Sequence, residues 1–283
     1  MVINSIKELR SHLTKAGKGN KTVGLVPTMG FLHEGHLSLI RRAKKENDFV
    51  VVSIFVNPTQ FGPNEDFETY PRDIDQDTKL AYEAGADIIF NPSASDIYPE
   101  GSNTWVNVEG EITSVLCGAS RPTHFQGVTT VVNILFNIVK PNKAYFGQKD
   151  AQQAAVLTKM VRDLHIDLEL IVCPIVREAD GLALSSRNTY LSNEERKQAL
   201  ILNQSLLKAK KAYLQGEKDT NKLIQLITDT ITSKPLAKID YVSIYAYPSL
   251  QEINKIESSA IIAVAVHFGK TRLIDNIILE KSK

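Results

Sequence analysis

Residues 49–56, FVVVSIFV, form an uncharged run made almost wholly of β-branched and aromatic side chains. A strand with one face in water alternates polar with apolar residues. An unbroken run belongs instead to a strand covered on both faces, as in a parallel sheet flanked by helices. The preceding residues complete the unit. Residues 22–27, TVGLVP, predict a second short buried strand. Between the two, His36 to Asn47 predicts a helix, with Leu37, Ile40 and Ala43 on one face and charges on the other. Strand, glycine-containing turn, helix and strand within about 35 residues make a βαβ unit.

The pattern continues more loosely. A helix is predicted from Pro71 through Ala84, ended by Gly85, with a short strand at Asp87 to Phe90. A buried helix over Val128 to Lys140, a strand at Ala144 to Phe146, a helix over Asp150 to Leu164 and a strand at Leu168 to Cys173 follow. After Pro174 the character changes. Two longer polar helices, about Ser192 to Gln215 and Thr220 to Ser233, precede three strands near Ile239 to Ala246, Ala260 to His267 and Arg272 to Leu279. Helices followed by a run of strands imply an α+β domain with an antiparallel sheet. The expected architecture is α/β: a Rossmann-like parallel-sheet domain over residues 1–175, then a smaller α+β C-terminal domain over 176–283.

Composition narrows the function. With 283 residues the chain has room for two domains, and 43% apolar with 23% charged residues is ordinary for a globular protein. The net charge of +1 creates no field that recruits nucleic acid, a membrane or an acidic partner. Charges interrupt the opening stretch MVINSIKELRSHLTKAG, which argues against a signal peptide. No uncharged apolar run approaches the ~20 residues of a membrane span. The two cysteines, Cys117 and Cys173, stand far apart, so buried thiols are the default rather than a disulfide or zinc site. A soluble, cytoplasmic protein with neither a nucleic-acid nor a membrane partner is expected.

The segment PTMGFLHEGH, Pro27 to His36, leaves the first strand and enters the first helix. Unpaired backbone N–H groups and the positive end of the helix dipole make such a place a ready phosphate site, and Gly30 allows close backbone approach. His33 and His36, three apart, can both face one side of the helix start. Donors aimed there would stabilise charge growing on an attacked α-phosphate. Two other readings stay open: the histidines cap the helix, or they bind metal, although the helical two-histidine zinc motif uses a spacing of four.

Further segments converge on the same sheet edge. SIFVNPTQF, Ser53 to Phe61, places Asn57 and Gln60 just past the carboxyl end of a buried strand, where open parallel sheets bind ligands. Gln60 offers a donor and an acceptor without charge, suited to hydroxyl and carboxylate oxygens. In FGQKDAQQ, Phe146 to Gln153, Lys149 can neutralise phosphate, Asp150 can cap the helix or help hold Mg²⁺, and Gln153 follows one turn on. In LALSSRN, Leu182 to Asn188, Ser185, Ser186 and Arg187 follow Gly181 and could grip β- and γ-phosphates. CGASRPTHFQG, Cys117 to Gly127, suits a mobile flap that shields a reactive intermediate. Each segment alone also reads as an ordinary turn or cap.

Taken in order and spacing, PTMGFLHEGH, SIFVNPTQF, YPRD (Tyr70 to Asp73), FGQKDAQQ and READGLALSSRN closely resemble the pantoate–β-alanine ligase family, within the wider HIGH-motif nucleotidyltransferases. The resemblance runs over nearly the whole chain. It implies condensation of pantoate with β-alanine, using ATP and Mg²⁺, through an enzyme-bound pantoyl adenylate, with AMP and pyrophosphate released. It also implies a homodimer whose small domain closes over the nucleotide. Carried over by motif, ATP falls to Met29, Gly30, His33, His36, Gly147, Gln148, Lys149, Asp150, Val176, Leu184, Ser185, Ser186 and Arg187. Among these, His36, His33, Lys149 and Arg187 take the catalytic positions. Pantoate and β-alanine fall to Gln60, Gln153, Asn57 and Tyr70; no dedicated metal ligand is implied beyond Mg²⁺ arriving with ATP, with Asp150 a candidate contact. Two departures stand out: Phe31 is bulkier than the small residue common there, and Ala151 replaces a usual aromatic. A nucleotidyltransferase with a phosphate-bearing acceptor would need a second basic cluster, where this chain offers glutamines. A nucleotide-sensing module without turnover would not need both histidines, Lys149 and Arg187 together.

Overall fold

The computed structural model describes residues 1–17, 19–63 and 65–280. They form two compact units. The first takes Met1–Glu109, Ser120–Gln148 and Val156–Pro174; the second takes Gly110–Ala119, Lys149–Ala155 and the chain from Ile175 onward.

The first unit is built on a six-stranded sheet of β1 (Val2–Ile3), β2 (Val23–Thr28), β3 (Phe49–Ile54), β4 (Ile88–Phe90), β5 (Lys143–Gly147) and β6 (Glu169–Cys173). The spatial order is β1-β4-β3-β2-β5-β6, and every pairing is parallel. The unbroken apolar run in β3 now has its reason. Val51 joins a core cluster with Leu9 and Leu13 of α1 (Ile6–Lys15), much of α7 (His124–Val139), and Leu157 and Met160 of α8 (Ala151–Asp163). Val50, Val52 and Ile54 join the opposite cluster, with Leu39, Ile40 and Ala43 of α2 (Glu34–Glu46) and Ala81 of α3 (Ile74–Glu83). Alternate residues of one strand thus bury on alternate faces, as the period of two requires. A short helix, α4 (Ala94–Ile97), follows β4 and is closed by a Ser93–Asp96 capping box.

At the centre the strand order reverses. β2 runs beside β3 for its full length, from Val23–Phe49 to Thr28–Ile54, but beside β5 only at Gly24–Lys143 and Leu25–Ala144. Beyond those pairs β2 and β5 are no longer partnered, and the carboxyl edge at such a reversal is the usual ligand position of open parallel sheets.

Two helix starts differ from expectation in this unit. The helix predicted from Pro71 begins at Ile74, because Asp73 caps it by accepting from the Gln76 amide. The helix predicted from Val128 begins at His124, so the second half of the expected flap is its first turn. Gly127 there serves close packing rather than hinge motion: a β-carbon would overlap the carbonyl of Thr59, and the Gly127 carbonyl accepts from Asn57.

The second unit has a three-stranded antiparallel sheet, β7 (Ala237–Ala246), β8 (Ala260–Phe268) and β9 (Thr271–Leu279), in that order. On one face lie α10 (Ile201–Leu214) and α11 (Thr220–Thr232), whose Leu202, Leu206, Leu223 and Ile227 pack with Ile262, Val264 and Val266 of β8. The helix predicted over Ser192 to Gln215 is split into α9 (Asn193–Ala199) and α10 at Leu200. The short helices α5 (Glu111–Ser114) and α6 (Cys117–Ser120) complete the unit. Among the described residues no helix is long and apolar enough to cross a membrane.

Gly127→Ala is expected to lower unfolding stability by about 1–3 kcal/mol, the usual cost of overpacking a tight contact. Urea denaturation measures it; an unchanged midpoint would mean that α7 and the Thr59 turn have room to separate.

Candidate active site

In the first unit the loop after β2 is held by a carboxylate. The Asp77 side chain on α3 accepts the Phe31 amide at 2.8 Å and the Leu32 amide at 2.6 Å, and it is only 2% exposed. Gly30 (φ 82°) and Phe31 (φ 50°) are both left-handed there. A β-carbon at Gly30 would meet Asp77 Oδ2 at 2.8 Å, so glycine is required for space as well as for conformation. Phe31 lacks glycine's freedom, and the two amide–carboxylate bonds offset its backbone strain. Burial pushes the Asp77 carboxyl above its ordinary range, while the two amides pull it down. Sequence reasoning misses Asp77; its only signal is an acid on the buried face of α3, one turn before Ala81.

The loop then delivers the histidines. His33 is the N-cap of α2: its Nδ1 accepts the Gly35 amide at 3.2 Å, and His36 Nδ1 accepts the His33 amide at 3.3 Å. The rings stack with centroids 4.1 Å apart and planes 35° from parallel. Capping and ligand recognition are therefore compatible. With Nδ1 accepting, each imidazole carries its proton on Nε2, which is then the donor of the ring.

The 57–60 turn belongs to the same unit. Asn57 is 1% exposed and is a hub: its Oδ1 accepts from Thr59 and from the Tyr98 hydroxyl, and its Nδ2 donates to Gln60 Oε1 at 3.2 Å. Gln60 Nε2 donates to Met29 Sδ at 2.9 Å. Its amide is thus strung between the loop after β2 and Asn57. Tyr70 is a buried ring packed edge-on against Phe61 at 5.9 Å. Gly147 and Gln148 close this unit's set at the end of β5.

The remaining candidates lie in the second unit. The chain doubles back from Val176 to Leu184: Leu184 N–H donates to the Val176 carbonyl at 3.0 Å, Arg177 bridges to Ala183, and Gly181 (φ 97°) makes the turn. Ser185 then caps a single 3₁₀ turn that contains buried Ser186 and Arg187, accepting the Arg187 amide at 3.3 Å. Two side chains of β9 organise the area. Buried Asp275 takes both Nη atoms of Arg177 at 2.6 and 2.9 Å, and Arg177 also donates to the Gly181 carbonyl. Next to it, Asn276 donates to the Lys149 carbonyl at 2.9 Å. Lys149 Nζ lies 3.7 Å from Asp150 Oδ1, and Gln153 is half-buried on the first turn of α8. Sequence reasoning does not single out Arg177, Asp275 or Asn276, since only the fold brings β9 to these loops.

Chemically, the first unit offers a helix N-terminus, two imidazole donors and a neutral amide; the second offers two cations and a pair of hydroxyls. Among the described residues no group of three or more His, Cys, Asp and Glu could hold a metal ion. Asp77→Ala removes the carboxylate acceptor of the buried Leu32 amide and the half-buried Phe31 amide, at about 1–3 kcal/mol for a lost buried partner. It is expected to lower stability by that order and to reduce turnover at the same time. Wild-type turnover in this variant would detach the loop geometry from the chemistry.

A family model described as Pantoate-beta-alanine ligase matches residues 1–278. A pantothenate synthetase of Clostridioides difficile is 58% identical over 280 residues, covering 99% of each chain. One of Pelotomaculum thermopropionicum is 57% identical over 279 residues, again covering 99% of each. Among solved structures, pantothenate synthetase from Thermus thermophilus superposes with a TM-score of 0.93 at 46% identity, covering 98% of both chains. A pantoate-beta-alanine ligase from Francisella tularensis, described as complexed with beta-gamma ATP and beta-alanine, gives a TM-score of 0.80 at 39% identity, covering 98% of this chain and 97% of that one.

Proposed function

The chain belongs to the pantoate-beta-alanine ligase family, and from that premise we propose how its residues divide the work. It is an ATP-dependent ligase that joins pantoate to β-alanine. In the reading proposed here, a pantoate carboxylate oxygen attacks the α-phosphorus of ATP. The bond to the bridging oxygen breaks, and pyrophosphate leaves with the electron pair. The β-alanine amine then attacks the acyl carbon of pantoyl adenylate, losing a proton, and AMP leaves with the carboxyl-derived oxygen.

The observation that carries this division is the Gln60 amide, which bridges Met29 of the nucleotide loop and the Asn57 hub. A neutral amide can face hydroxyls and a carboxylate without holding the anion so tightly that it ceases to be a nucleophile. Gln60 and Gln153 are assigned to pantoate, with Asn57 and buried Tyr70 supporting them. His33 and His36 donate Nε2–H bonds to the α-phosphate oxygens as charge grows there. Gly30, with Gly147 and Gln148, lets backbone approach the nucleotide. Lys149 and Arg187 neutralise the departing pyrophosphate, with Ser185, Ser186 and the Val176–Leu184 backbone as neighbouring donors and acceptors.

Mg²⁺ accompanies ATP in this reading. Asp150, beside Lys149, would offer one carboxylate, the other ligands being phosphate oxygens and water, which is how Mg²⁺ commonly binds with nucleotides. When bound, it withdraws charge from the phosphates. The reading also includes a homodimer and a cytoplasmic location; two buried cysteines outside any disulfide, Cys117 and Cys173, support the latter.

His36→Ala should keep the fold and lower kcat for pantothenate formation by roughly 10²-fold, the scale of losing one transition-state donor. Near-normal kcat would remove His36 from the chemistry. Lys149→Ala should both raise KM for ATP and lower kcat; an effect confined to β-alanine kinetics would place Lys149 on the wrong substrate.

A further inference from the structure

A cluster beyond these assigned residues grips the backbone of Gln60. Gln60 ends the one-turn 3₁₀ segment Pro58–Gln60, so its carbonyl is one that the turn itself leaves without a partner. Two side chains fill it. Arg121 Nη2 donates at 3.1 Å and His124 Nδ1 lies at 2.9 Å. A carbonyl only accepts, so His124 Nδ1 carries the proton and its Nε2 is the acceptor, which matches the Arg121 Nη1 group 3.2 Å away. Arg121 is itself held by a two-point pair with Glu65, Nε to Oε1 at 2.6 Å and Nη2 to Oε2 at 2.5 Å. Their side chains are only 19% and 25% exposed, so solvent does little to weaken the pair. Burial alone would raise the Glu65 carboxyl, yet Arg121, with the Gly62 backbone and His124, outweighs it and holds the group below its ordinary range.

We propose that Arg121, fixed by Glu65 and seconded by His124, is a positioning residue that sets the direction of the Gln60 side chain towards pantoate. The backbone of Gln60 is pinned from one side by this cluster while its amide is strung between Asn57 and Met29 on the other. Neither end alone defines where the amide points. The Glu65 contact also fastens the stretch after Gln60, whose Phe61 packs on Phe67 at 5.4 Å and on Tyr70 at 5.9 Å. Loss of the latch therefore changes pantoate recognition before it changes ATP recognition. The inference rests on the assignment of Gln60 to pantoate.

Steady-state kinetics of Arg121→Met, Arg121→Lys, Glu65→Gln and Gln60→Ala, each with a urea unfolding curve, test it. Arg121→Met and Glu65→Gln are expected to raise KM for pantoate about tenfold while KM for ATP stays within about twofold. Arg121→Lys, which keeps the charge and one donor, should recover part of the loss. Equal changes in both KM values, or a lowered unfolding midpoint with pantoate KM unchanged, would overturn the positioning role. If Gln60→Ala itself leaves pantoate KM at the wild-type value, the Gln60 assignment fails and the latch falls with it. If Gln60→Ala raises pantoate KM and the Arg121 variants do not, only the latch is wrong.

Discussion

The bond pair from the Phe31 and Leu32 amides to Asp77 fixes the loop that leads into α2. Two consecutive left-handed residues, one of them bearing a benzyl side chain, are not a conformation the loop would hold unaided. A charged acceptor that takes two adjacent amides makes it the stable arrangement. The consequence runs forward along the chain: with residues 30–32 fixed, His33 falls at the N-cap of α2 and His36 one turn on, and their rings stack. It also runs backward, since Met29 is left beside the Gln60 amide. Desolvating a carboxylate is costly, and the two amide hydrogen bonds offset that cost here.

The second unit solves the corresponding problem with an ion pair. Asp275, itself almost fully buried, fixes Arg177 and through it the Gly181 turn, so the strand-like return from Val176 to Leu184 has one geometry. Its neighbour Asn276 fixes the Lys149 carbonyl. Adjacent residues of one strand point to opposite faces, which lets this pair serve two loops at once. In both units the groups assigned to substrate are few, and the groups that aim them are buried and hydrogen-bonded.

How much of this is legible in the sequence follows from the range of each signal. Periodicity locates the sheet, because β3 must bury both faces and its composition says so residue by residue. Motifs locate the side chains assigned to ligands, which sit on loops at strand ends where local sequence is informative. Asp77, Asn276, Arg177 and Asp275 carry no local pattern. Each acts on a partner between 45 and 127 residues away in the chain, beyond any sequence window. β1 has no signal because two residues show no period. Within the 117–127 stretch a glycine is ambiguous for a different reason: it serves flexibility and close packing alike, and at Gly127 the Thr59 backbone requires it for packing.

The central claim is that pantoate is activated before the amine takes part. Exchange of labelled pyrophosphate into ATP isolates that half of the reaction. With pantoate, Mg²⁺ and enzyme but no β-alanine, exchange is expected, and none is expected when pantoate is omitted. Exchange that appears only once β-alanine is added would contradict the claim, because the adenylate would then not form as a separate, reversible step.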